Sequence, residues 1–501
     1  MGKRLGTFRA FFTVAIACVG SFMFAYDTGI IGGILALESF QTDFRYTAAQ
    51  KATVASNSNT FFACFFAWPF TSKYGRRWTL VLAAVIFNVG AVIQTINTHH
   101  IGGFYAARVI SGLGVGVATV VMPMYAAEMA PKAIRGMLGS MMQLFFTLGV
   151  MTSYWIDYGV AEHMGPVSAQ WQIPIGLQLV PGSILGLGML FSQESTRWLA
   201  MKGRLDEGLA SLRWIRGGDS PEVEEEWAEI LQWIEEEKRM KAGVTWRELL
   251  QPLNRLRIGL IISLQAGVQL TGNTSLAYYA PQIFTLVGAG KNSFLFTGFF
   301  GFVKVVACSF FLLVLVERIG RRGALLLGAT LMGTYMLIVA ILGAKFPTTP
   351  TSGLSPPAIA SLTMIYLEAM AYNISWGAVS WIYIGEMFPN RIRESGVAIG
   401  MATQWLFNFA FSFITPHAVQ NLGWKTFLMF AIFNFSLVAY VYIFILETKG
   451  RSLEEMESLF AEKFKRWLPA VESSDTEAFT DDKAPEARST EGQSVDNKKG
   501  E

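Results

Sequence analysis

Twelve stretches of about twenty residues run along this chain almost without charge, and that pattern decides the solvent in which it folds. They fall at about 8–34, 52–72, 77–97, 101–125, 136–159, 172–192, 258–287, 293–316, 322–344, 357–386, 395–416 and 424–446. A helix of about twenty apolar residues crosses a hydrocarbon core about 30 Å thick. Of the 77 charged residues, 47 lie in two segments, 193–257 and 447–501, leaving 30 for the other 381 positions. No water-soluble fold keeps so much chain uncharged. The expected fold class is therefore all-α, a polytopic membrane protein with twelve spans in two pseudo-symmetric six-helix bundles. The bundles are expected at 1–192 and 258–446. Between them, 193–257 is too polar to span, and its Glu and Trp spacing predicts amphipathic helices at the membrane surface. The tail, 447–501, is rich in Ser, Glu, Asp and Lys beyond about Leu468 and is expected to be mostly disordered.

Basic residues in the short loops set the orientation. Lys3, Arg4, Arg9, Lys73, Arg76, Arg77, Lys132, Arg135, Arg318, Arg321, Arg322, Arg391, Arg393, Lys449 and Arg451 fall on one side. Only Arg45, Lys51, Lys291, Lys345 and Lys425 fall on the other, so both termini are expected in the cytoplasm. The apolar run after Met1-Gly-Lys-Arg4 is longer than a signal-peptide core and reads as a retained first span. A net charge of +3 with no basic stripe excludes a nucleic-acid partner. Cys18, Cys64 and Cys308 sit in apolar stretches, and no phosphate loop, metal cluster or nucleophile constellation is visible. The chain is therefore expected to be no enzyme and to hold no cofactor and no metal.

An internal repeat supports the two halves. Tyr74-Gly-Arg-Arg77 is echoed by Ile319-Gly-Arg-Arg322, and Glu128-Met-Ala-Pro131 with Arg135 by Glu386-Met-Phe-Pro389 with Arg393. Parallel repeats of this kind mark transporters that rock about a site at the bilayer midplane.

Those residues, with others in order and spacing, make the chain resemble a sugar porter of the major facilitator superfamily from Tyr26 to about Glu457. The further matching pieces are Tyr26-Asp-Thr-Gly29, Arg108 with Gly112-Leu-Gly114, Glu194-Ser-Thr-Arg-Trp-Leu199, Gln269-Leu-Thr-Gly272, Tyr278-Tyr279, Trp381 and Glu447-Thr-Lys-Gly-Arg451. The resemblance implies a substrate pocket, of which Gln143, Gln265, Gln269, Trp381 and Trp405 are retained. Thr274, Asn373 and Gln404 stand where relatives carry other polar residues, Val305 replaces a polar residue, and Ser72 replaces an acid. A pocket so altered points away from an ordinary neutral hexose. The resemblance also implies that Tyr278 and Tyr279, beside Pro281, gate the site.

Asp27, Arg108 and Lys304 stand at membrane depth. Asp27 is about 24 Å into the first span and Arg108 roughly 10 Å below the opposite surface, similar depths at which they can pair. The resemblance implies that Asp27 accepts the coupled proton and Arg108 tunes it; a static clamp between helices is the other reading. Lys304, about 20 Å from the end of its span, needs a partner. It either neutralises a substrate carboxylate, as the resemblance to the fungal quinate- and galacturonate-type branch implies, or is satisfied structurally. Arg76, Glu128, Arg135, Glu194, Arg197, Glu317, Arg321, Glu386 and Arg393, with Arg77 and Arg322, are expected to form ion pairs across the halves that latch the inner face.

The expected function is proton-coupled import of a monosaccharide-type substrate, with a sugar acid favoured, by a monomer in a lipid bilayer, the plasma membrane by default. A passive facilitator of neutral hexoses and a non-transporting nutrient sensor are the alternatives.

Overall fold

The computed structural model describes residues 2–45, 67, 69–96, 99–131, 135–241, 246–315, 318–346, 354–388, 392–449 and 460. Helices and short connections make up these residues, with no strand among them. Span 1 is Gly2–Ile34, span 3 Arg76–Thr95, span 4 Ile101–Met129 and span 5 Arg135–His163. Span 6 is jointed, as Ala169–Gly176 and Leu179–Phe191. Span 2 lies outside the described residues except for residue 67 and its last turns, 69–74. In the second half, span 8 is Ser293–Phe310 continued by Phe311–Leu315, span 9 Arg321–Lys345, span 11 Arg393–Leu422 and span 12 Lys425–Phe444. Among the described residues, eight helices are long and apolar enough to cross a bilayer by themselves.

Spans 7 and 10 are each broken. Span 7 runs as Pro252–Leu270, Asn273–Tyr278 and Ala280–Leu286. Its first break turns on Gly272, whose φ of +90° is open to glycine and strained for other residues. A Cβ there would also meet the Phe430 ring at 2.7 Å. Span 10 runs as Pro356–Asn373 and Trp376–Met387. Irregular backbone at membrane depth is tolerated where protein or a polar cavity satisfies it. Broken helices therefore mark the site more closely than unbroken ones do.

The polar segment between the halves forms Thr196–Met201, Leu205–Arg216, Pro221–Lys241 and Trp246–Leu249. Its helices are amphipathic as expected, but Leu212, Ile215, Val223, Trp227 and Ile234 turn inward and join the core of the first half. Arg9 fixes this packing, donating to the Trp214 carbonyl at 3.0 Å with its guanidinium 4.9 Å from the indole centre. The apolar face is thus covered by protein.

Three apolar cores place the two halves. One lies within the first half at the end that carries the basic loops, and another lies at the same end of the second half. The third, at the opposite end, runs through both halves without interruption and joins Tyr26, Ile30 and Ile34 to Tyr278, Ile283 and Phe300. Spans 5 and 8 carry most of the contact between the halves, helped by Gly301 of span 8, which abuts the Met151 backbone. The halves thus share one core at the far end, whereas at the basic end each half has its own core among the described residues.

Candidate functional site

Asp27 and Arg108 meet as the sequence predicts. Nη1 of Arg108 lies 2.7 Å from Asp27 Oδ1, and the two side chains are 5% and 1% exposed. This pair joins span 1 to span 4 where water is excluded. Breaking such a pair by removing one partner leaves an uncompensated buried charge, at a cost of about 3–5 kcal/mol.

The residues expected to line a pocket lie on spans 5, 7, 10 and 11. Gln265 and Gln269 are buried in span 7; neither amide atom of Gln265, nor Oε1 of Gln269, has a hydrogen-bond partner among the described residues. Gln143 and Thr274 are half-buried, as is Gln404, whose Oε1 is likewise unpartnered. Buried amides are ordinarily paired. Such a set is suited to hydroxyl and carbonyl groups of a small polar molecule. Trp405 is buried with its ring 5.0 Å from Phe24 of span 1, edge to face, and so bridges the halves. Trp381 is exposed. Asn373 turns back on its own helix, donating to the Ala369 carbonyl at 2.8 Å beside the break in span 10.

Lys304 is buried. Its ammonium donates to Asn273 Oδ1 at 3.3 Å and lies 4.5 Å from the centre of the Phe300 ring. Asn273 in turn donates from Nδ2 to Glu368 Oε2 at 3.2 Å. The lysine is thus held by Asn273 of span 7 and the Phe300 ring of its own span, with Glu368 of span 10 one amide beyond. Glu368 and Asp157 escaped the sequence reading. Glu368 is fully buried, and Asp157 is buried on span 5 with neither carboxyl oxygen hydrogen-bonded among the described residues; Gly33 of span 1 packs against it. The missed signal was the one used for Lys304: a lone ionisable residue within an apolar span.

The gate residues are engaged at the far end. Tyr279 donates to the Ser412 carbonyl at 2.8 Å and Tyr278 to Asn408 Oδ1 at 3.3 Å, tying span 7 to span 11. Gln282 donates to the Gly32 carbonyl at 3.1 Å, and Tyr154 to the Ala277 carbonyl at 2.7 Å. The latter two bonds cross between the halves, so this end is closed.

At the basic end, the expected latch takes a different form in this conformer. Arg76 pairs with Glu128 at 3.0 Å and Arg321 with Glu386 at 2.8 Å, each within its own half. Ser195 donates to Glu128 and Thr448 to Glu386. The Glu194 carboxylate accepts the backbone N–H groups of Arg76 and Arg77 at 2.8 and 3.1 Å, and Glu447 accepts those of Arg321 and Arg322 at the same two distances. Each acid sits on a helix N-terminus, where backbone N–H groups and the helix dipole favour a negative charge. Burial nevertheless holds the Glu194 carboxyl above the usual carboxylate range, opposed by those N–H groups. Arg197 lies over the Trp233 ring at 4.6 Å and pairs with no carboxylate among the described residues. Arg77 donates to the Met189 and Leu190 carbonyls, and Arg322 to that of Tyr442. Glu317 and the side chains of Arg135 and Arg393 lie outside the described residues.

Two six-span halves, broken helices, amides without a partner among the described residues and a buried ion pair define a secondary transporter of the major facilitator superfamily. The chain belongs to the sugar (and other) transporter family, whose model matches residues 13–460. It is 35% identical to a quinate permease of Emericella nidulans over 92% of this chain and 90% of that one. A probable quinate permease of Aspergillus fumigatus is 34% identical over 92% and 89%. Its fold matches that of the E. coli xylose transporter XylE in an inward open conformation, with a TM-score of 0.75 at 24% identity, over 90% of this chain and 99% of that one. XylE as a proton:xylose symporter bound to 6-bromo-6-deoxy-D-glucose matches with a TM-score of 0.72, also at 24% identity, over 91% and 100%. The chain is a multi-pass membrane transporter of the sugar class and not an enzyme.

Proposed function

We propose that this protein imports a sugar acid of the quinate or galacturonate class together with protons, by alternating access between its halves at 1–192 and 258–446. The observation that carries the coupling is the Asp27–Arg108 pair, an ionised pair held in a dry place. When Asp27 takes a proton the attraction to Arg108 falls, and span 1 is freed to move against span 4. Gln265, Gln269 and Gln404 offer amides to the substrate hydroxyls, with Gln143 and Thr274 beside them. Trp381 and Trp405 offer apolar faces. Lys304 supplies the positive charge that a carboxylate requires, and the names of the fungal relatives support an acid substrate. The basic loops face the cytoplasm, so the closed far end is extracellular and the present state opens inward. Tyr278 and Tyr279 hold the outer gate shut. The plasma membrane and a functional monomer complete the reading.

The test is uptake of quinate, galacturonate and neutral hexoses in cells lacking their own carriers, with external pH recorded. Sugar-acid uptake accompanied by alkalinisation, both reduced in Asp27→Asn, is the expected result. Neutral-hexose uptake indifferent to pH and to that substitution would make the protein a facilitator and the ion pair a clamp.

A further inference from the structure

A contact resembling the Asp27–Arg108 pair stands in the second half. Asp27-Thr28-Gly29 of span 1 is matched 246 positions later by Asn273-Thr274-Ser275 of span 7, against the 245 positions that separate Arg76 from Arg321. Arg108 stands 20 residues before Glu128 in span 4, and Glu368 stands 18 residues before Glu386 in span 10. The contact between Asn273 and Glu368 thus joins the first and fourth spans of the second half, as the contact between Asp27 and Arg108 joins those of the first, with Glu368 two residues out of the strict repeat register. The polarity is exchanged. The acid has moved from the first helix of the half to the fourth, and the cation comes from span 8 as Lys304.

From this geometry we infer that Glu368 is a second proton-binding site, loaded when the substrate carboxylate engages Lys304. The inference rests on the sugar-acid reading above. Glu368 is fully buried; Oε2 accepts from Asn273, while Oε1 has no partner among the described residues. The groups facing it are Lys304 from span 8, Asn273 from span 7 and Tyr372 from its own helix. Span 9, packed against the same helix, carries charge only at its ends, at Arg321, Arg322 and Lys345, and the second part of span 10 only at Glu386. Lys304 and Glu368 are thus a buried base and a buried acid, linked through the amide of Asn273.

Charge balance does the rest. With Lys304 protonated and Glu368 ionised the cluster is neutral. A substrate carboxylate that takes the ammonium adds a negative charge to a site where an unbalanced charge is costly. One proton from water onto a Glu368 carboxyl oxygen restores neutrality: Lys304 stays an ammonium, the substrate stays a carboxylate, and Glu368 becomes a neutral acid. Release of the substrate reverses the step and frees the proton. The anion therefore carries one proton at Glu368 and a second at Asp27, and each cycle moves one net positive charge.

The experiment uses the full-length protein in proteoliposomes with quinate and the membrane potential clamped at zero. Each coupled proton contributes a factor of about ten in accumulation per unit of pH gradient. Wild type reaches about a hundredfold per unit, whereas Glu368→Gln reaches about tenfold and loses the stimulation by an inside-negative potential. Glu368→Asp, which keeps the carboxyl, restores both. Wild-type slope and potential dependence in Glu368→Gln would overturn the inference. A second measurement does not depend on that variant folding. Quinate added to Asp27→Asn in weakly buffered detergent solution takes up about one proton per molecule bound, read with a pH dye; no uptake overturns the inference. If wild type carries neutral sugars and no acid, the sugar-acid reading has failed and this inference falls with it.

Discussion

Removing Arg108 and Asp27 separately and together separates a working ion pair from a static one. Arg108→Met leaves the Asp27 carboxylate, 1% exposed, without the guanidinium that now sits 2.7 Å away. Breaking a buried pair from one side costs about 3–5 kcal/mol, which corresponds to roughly 10²- to 10⁴-fold in the population of any state that needs the carboxylate ionised. Asp27 avoids that cost only by holding its proton throughout the cycle, which disconnects it from the pH gradient. Asp27→Asn keeps the shape and removes the titration. The double variant removes both charges, which for a buried pair is close to neutral. Two assays in proteoliposomes read the consequences: counterflow, which needs only substrate-loaded exchange, and accumulation against a pH gradient at zero potential. Arg108→Met and Asp27→Asn should each lower accumulation by about tenfold per pH unit, one coupled proton. Arg108→Met should also slow counterflow by at least about tenfold, and the double variant should recover most of that loss. Accumulation unchanged in Asp27→Asn would refute the reasoning. So would a double variant as slow as the product of the two single effects, because independent losses mean that the two groups do not act as a pair.

Further outcomes follow from single sites. Gly272→Ala forces a side chain into φ +90° and against the Phe430 ring; backbone strain and overpacking together cost about 2–4 kcal/mol, seen as a lower melting temperature in detergent, and an unchanged value would mean that the break in span 7 is pliable. Lys304→Met removes a charged donor worth about 1.5–3 kcal/mol, so quinate uptake should fall about ten- to hundredfold; unchanged uptake would leave Lys304 a structural residue. Because burial raises the Glu194 carboxyl in the folded protein, the folded state binds that proton more tightly than the unfolded chain, and this contribution to stability is lost as pH rises through the folded value. Lowering pH from about 7 toward 4.5 should therefore move the melting temperature of wild type upward relative to Glu194→Gln. A difference independent of pH would contradict the burial.

The order and placing of the spans were legible in the residues alone. A run of apolar residues long enough to cross a bilayer is a one-dimensional property, and the bilayer thickness sets its length. The same holds for the echo of Gly75-Arg-Arg77 in Gly320-Arg-Arg322, and for the depth of Asp27 and Arg108, which helical rise converts from residue count to distance. Which side chains meet at that depth is a different matter. It depends on how each helix is rotated and where it breaks. Only the tertiary structure joined Lys304 to Asn273 and Glu368, three residues on three helices, the outermost two 95 positions apart in the chain. It also kept Arg76 with Glu128 and Arg321 with Glu386 inside their own halves, and turned Arg197 onto Trp233. Hydropathy along a chain says that a helix must be covered by lipid or protein. The partner of a buried charge is chosen by packing, since only the folded bundle brings distant helices within hydrogen-bonding range.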